Sequence, residues 1–204
     1  METIATLGSL LGIGFLSGIR LYSTVLAVGL GIRFGFLDLP AGLAHLDVLA
    51  STPVIAVAAT VYTVEFVADK IPLVDSMWDA VHTFIRPVGA AIVGATAIGP
   101  VDPAISIAVA LLCGFVALSG HGAKATTRVA VNHSPEPFTN AGISLAEDGL
   151  VLGGVWLALE HPLVSLGVVA VLVVLSVWLV WAFYSMVRRF LRTLFRPDAP
   201  PSAP

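Results

Sequence analysis

Apolar residues run through this chain in long blocks, and short polar stretches punctuate them. The pattern predicts six helices, at about 4–33, 51–70, 75–99, 103–132, 138–160 and 162–196. Between them lie LDLPAGLAHLD, KIP, GPVDP, NHSPEP and EHP, all rich in residues that interrupt helices. Residues 162–187 contain no charged side chain. At ~1.5 Å per residue such a helix crosses the ~30 Å hydrocarbon layer with some tilt. The first block has only Glu2 as an early charge and stays apolar to Gly31 apart from Arg20, so it reads as a retained spanning helix rather than a cleaved leader.

Composition agrees. Of 204 residues, 57% are hydrophobic and 11% charged, against roughly a quarter charged in ordinary soluble domains. The expectation is an all-α, polytopic membrane protein with about six spans. It would form one transmembrane domain over 1–196, followed by a disordered Pro-rich tail, 197–204. The lone Cys113 sits in an apolar run and reads as packing. A net charge of −3 gives no case for nucleic acid. The expected partners are the bilayer and a small ion or polar solute, with a homodimer as a further expectation. No cofactor is called for.

Basic residues orient the spans. Arg188, Arg189, Arg192 and Arg196 close the last helix and place the C-terminus in the cytoplasm of a bacterial inner membrane. Six crossings would return the N-terminus to the same side. Lys70 and Arg128 then fall inside and Arg33 outside.

The stretches 12–28 and 114–130 align without gaps and match Gly12, Ser17, Gly18 and Thr24 with Gly114, Ser119, Gly120 and Thr126. Three crossings apart, they would run in opposite directions, so the repeat expected is a 3+3 inverted one, with halves 1–99 and 103–196. Two readings of Ser17-Gly18 and Ser119-Gly120 stand. They are close-packing positions, like Gly8-xxx-Gly12, Gly14-xxx-Gly18 and Gly149-xxx-Gly153, or they are points where helices one and four unwind.

Charge inside the spans points to function, because an ionised group at mid-membrane costs on the order of 3 kcal/mol even on a lenient scale. Arg20, Glu65, Lys124, Glu147 and Asp148 are the expected substrate or ion path, with Arg20 holding an anionic group and Glu147 carrying a coupling proton. Asp69, Lys70, Asp75, Asp79, His82 and Arg86 would form a cytoplasmic mouth, the last four sharing one helical stripe at spacings of 4, 3 and 4. The bland alternative puts Asp69, Lys70, Asp75 and Arg128 at the wet interface and pairs Glu147 with Arg20 structurally. Asp75, Asp79 and His82 could contact a divalent ion, but one helix readily supplies only two ligands, so no metal is expected.

The run ADKIPLVDSMWDAVHTFIRP, the later SGHGAKATTRVAVN and the Ser144…Glu147-Asp148 group resemble a bacterial membrane family known as domain of unknown function 4126. That resemblance implies a small polytopic inner-membrane protein and groups Asp69, Lys70, Pro72, Asp75, Trp78, Asp79, His82, Arg86 and Pro87 in one motif. It brings no substrate and no catalytic role. Transport leads as the expected function. An enzyme acting on a lipid or isoprenoid through the Asp75/Asp79/His82 stripe is the alternative, and a non-catalytic scaffold is the third.

Overall fold

Proline opens most of the helices, as its fixed φ and missing N–H allow at a first turn. In a computed structural model, which describes residues 1–132 and 137–194, they are α1 (Glu2–Arg33), α2 (Thr52–Ala68), α3 (Pro72–Ala97), α4 (Pro103–Asn132), α5 (Pro137–Glu160) and α6 (Pro162–Leu194). Arg196, the tail 197–204 and most of the NHSPEP connection lie outside the described residues. A 3-10 helix, Ala41–Ala50, fills the connection between α1 and α2. The sequence pattern had left that stretch as a plain connection.

Charge is turned inward and grease outward. Phe84 is 76% exposed while Arg86, two residues on, is wholly buried. Five helices are long and apolar enough to cross a membrane, or six when the 3-10 segment and α2, bent by 71°, count as one span. The protein is all-α and polytopic.

The first helix departs most from expectation. Arg20, alone within α1, has non-helical dihedrals (φ −148°, ψ 90°). A straight helix from Thr6 to Gly29 would measure about 34 Å. Yet Thr6 touches Gly42 and Gly29 touches Leu49, seven residues along a 3-10 helix that rises only about 14 Å between them. So α1 folds back at Arg20, one arm (2–19) entering the bundle and the other (21–33) leaving it. The expected break at Gly18 falls instead at Arg20, and α4 runs unbroken through Ser119 and Gly120.

Gly18 and Gly120 are where α1 and α4 approach most closely. A methyl group at Gly18 would strike the Ala117 carbonyl, and one at Gly120 would lie 2.8 Å from the Phe15 carbonyl. These contacts are reciprocal, since Phe15 and Gly18 align with Ala117 and Gly120 in the repeat. Leu10 and Gly14 meet Cys113 further up, so the first arm and α4 run parallel. Any repeat relating these segments is therefore parallel and not inverted, because the fold-back at Arg20 adds a reversal that hydropathy cannot count. Gly8 and Gly12 also pack closely, against Pro162 and Ser165, whereas Gly149 and Gly153 face open space. The Gly149-xxx-Gly153 spacing is not a packing seam within this chain.

The same reversal moves the N-terminus. Gly8 lies against Pro162 at the start of α6, so the N-terminus lies at the end of the bundle opposite the last turns of α6. The sequence pattern, with its six crossings, expects the two on one side.

Candidate functional site

Four helical stripes converge on the point where α1 breaks. Glu65 and Asp69 end α2, and Asp75, Asp79, His82 and Arg86 line one face of α3. His121, Lys124 and Arg128 descend α4, and Ser144, Glu147 and Asp148 come from α5. Spacings of 3 and 4 place each set on a single face. Arg20, Glu65, Asp69, Asp75 and Arg86 have no exposed surface at all.

Arg20 is the hub at the break. Its Nη2 bonds Asp69, with which it forms an ion pair, and donates to Ser144 Oγ at 2.7 Å. Its Nε donates to Glu147 at 3.2 Å, and Nη1 lies 3.1 Å from Asp148. Thr24 donates to the Arg20 carbonyl at 2.8 Å. Arg128 grips Glu147 with a two-pronged fork, at 3.1 and 2.9 Å. Arg86 forms a second centre: it donates to Glu65 at 2.7 Å and to His121 Nδ1 at 2.7 Å, and sits 3.1 Å from Asp79.

The two imidazoles are fixed by their partners. Because Arg86 donates to Nδ1 of His121, Nε2 carries the proton and donates to Thr83 Oγ1 at 2.9 Å. Because His82 Nδ1 meets the Trp78 carbonyl at 2.8 Å it must donate there, leaving Nε2 to accept from Tyr22 at 3.3 Å. Both rings are neutral in this arrangement, and Trp78 stacks on His82.

Lys124 joins the two arginine centres. Its Nζ lies 3.4 Å from Glu147, 3.8 Å from Asp79 and 3.9 Å from Asp69, and its side chain is 1% exposed. It makes no hydrogen bond, and neither oxygen of Asp79 has one. In all, the ion pairs link six carboxylates (Glu65, Asp69, Asp75, Asp79, Glu147, Asp148) with four bases (Arg20, Arg86, Lys124, Arg128). With both histidines neutral, the described network holds two more negative than positive charges.

The charged residues expected as a path and those expected as a mouth, Lys70 excepted, thus form one continuous network, and His82 pairs with Tyr22 beside it. Asp69 bonds Arg20, and Glu65 bonds Arg86. Lys70 stands apart: its Nζ bonds the Phe66 carbonyl at 2.7 Å and covers that ring. Arg128, His121, Ser144 and Thr83 join although they were not among the expected path and mouth residues. Arg128 and His121 share a stripe with Lys124, a signal the sequence carried. Among the described residues no three His, Cys, Asp or Glu side chains are arranged to hold a metal. The Asp75/Asp79/His82 stripe is engaged elsewhere: Asp75 and Asp79 face bases, and His82 bonds a carbonyl and a phenol.

The family model described as "Domain of unknown function (DUF4126)" matches residues 7–182. The chain belongs to this family. In this DUF4126 protein the match takes in every charged residue of the network and runs into α6. No curated protein and no solved structure matches the chain. The family description names no activity, so function rests on the geometry of the site.

Proposed function

We propose that this protein is a small carrier of the bacterial cytoplasmic membrane, moving an ion or small polar solute past the broken helix α1. One observation carries the reading: α1 folds back at a buried arginine, and charged side chains of α2, α3, α4 and α5 converge on that break. Broken helices present backbone termini and charge at membrane depth, where transported solutes bind. Glu147 and Asp148 keep 14% and 13% exposure, so the network reaches the surface at α5. A web of ion pairs filling the break suits alternating access better than an open pore. Arg188, Arg189 and Arg192 put the C-terminus in the cytoplasm, and the N-terminus then lies outside.

Reconstitution into liposomes tests this. A panel of labelled cations, anions and small zwitterions should show protein-dependent uptake of at least one, abolished in Arg20→Met. Uptake no faster than in empty liposomes for every solute would refute the carrier reading.

A second reading rests on an apolar groove of about 420 Å³ between the outgoing arm of α1, α2 and α3. It ends at Tyr22, whose hydroxyl bonds His82. An amphiphile could lie there with its head group at the network, as a lipid- or isoprenoid-acting enzyme requires. Turnover of a phospholipid or isoprenoid alcohol by the purified protein, lost in His82→Ala, would favour it over transport.

A further inference from the structure

We propose that the carboxylates of Asp69, Asp79 and Glu147 form a binding site for a small organic ammonium ion, and that the Lys124 ammonium is its tethered competitor. The proposal rests on the carrier reading for its purpose and deepens it by naming the substrate class and the coupled proton.

The Nζ atom hangs among three carboxylates drawn from α2, α3 and α5, at 3.4–3.9 Å, and bonds none of them. A side chain locked for structure alone would close at least one of those contacts to the ~2.8 Å of a charge-assisted hydrogen bond. Asp79, nearly fully buried, has both oxygens without a hydrogen bond, so the site retains unused acceptors. Spacing selects the ligand. Metal–oxygen bonds need about 2.0–2.6 Å, and no metal-holding group of side chains is present among the described residues. A primary ammonium occupies the cage now, which gives the shape and charge of what can replace it.

Charge balance and chemistry give the exchange. Of the four bases in the network only the lysine carries a proton that an exchange can draw on, since arginine stays charged. When a Nζ–H bond breaks, the proton leaves to bulk water and the electron pair stays on nitrogen. The incoming ammonium takes over the three carboxylates, and the network charge is unchanged. The groups around Nζ are Arg20 from α1, Glu65 and Asp69 from α2, Asp79 and Arg86 from α3, His121 and Arg128 on its own helix, and Glu147 and Asp148 from α5. Lys124 is the only one of these bases able to answer the arriving charge. Coupled one for one, the cycle is an electroneutral exchange of proton for amine cation.

Binding of radiolabelled methylammonium to the purified protein in detergent, with proton release read by a dye in weak buffer, tests the assignment. In the unaltered protein affinity should rise about tenfold per pH unit over the range in which one proton is released for each cation bound. Lys124→Gln should still bind, with no proton release and no such slope. Lys124→Arg keeps the charge and should bind nothing, because its cation cannot be discharged, while its thermal unfolding matches that of the unaltered protein. Methylammonium binding by Lys124→Arg equal to that of the unaltered protein overturns the proposal. So does proton release that persists in Lys124→Gln, or no binding in the unaltered protein. Binding and release without uptake in liposomes would refute the carrier reading while leaving the Lys124 assignment standing.

Discussion

At the scale of single residues, the decisive fact is that ionised groups are buried together. A buried pair broken by removing one partner costs about 3–5 kcal/mol, because the survivor is left charged and alone. Arg86 holds Glu65, Asp79 and the neutral His121 at once, so Arg86→Met should destabilise the protein by that amount in detergent unfolding. Adding Glu65→Gln removes the stranded carboxylate, and the double variant should recover a large part of the loss. Additive losses in that cycle would mean that Glu65 is stabilised by something other than Arg86. Glu147 is held by Arg20, Lys124 and both prongs of Arg128, which makes it the anchor of the network.

Elements were legible in the sequence where local chemistry marks them. Five helix starts carry a proline and were placed within a few residues. The face shared by Asp75, Asp79, His82 and Arg86 was likewise readable, because helical spacing alone fixes it. The 3-10 segment was missed although Leu43, Leu46 and Leu49, all buried, repeat at its three-residue period. The fold-back at Arg20 was not legible, because Ile19-Arg20-Leu21 contains neither proline nor glycine and the cause is tertiary. Four groups on two other helices hold that guanidinium in place. Glycine gave a mixed signal. Gly18 faces a carbonyl and Gly153 faces open space, yet both sit in Gly-xxx-Gly spacings. Gly18→Ala should therefore destabilise by about 1–3 kcal/mol through overpacking, and Gly153→Ala should be neutral or stabilise by about 0.4–1 kcal/mol. Thermal unfolding of the two variants side by side checks both signs. Equal effects would deny the close α1–α4 approach.

At the scale of the whole molecule, the arrangement follows from one reversal. Counting apolar blocks gives an even number of crossings and returns the chain to the side where it began. Folding α1 back at Arg20 makes α1 two arms, brings its first arm parallel to α4, and places the N-terminus at the end of the bundle opposite the last turns of α6. Impermeant maleimide can read this directly, because the only native cysteine, Cys113, is buried and gives little background. Thr3→Cys lies in the exposed first turn, and Arg192→Cys lies near the exposed end of α6. In intact cells Thr3→Cys should label and Arg192→Cys should not; in inverted vesicles the pattern should swap. Labelling of both from one side would mean that α1 crosses once as a straight helix. The charge cluster would then lose the break that opens it to solute, and the exchange assigned to Lys124 would lose its route across the membrane.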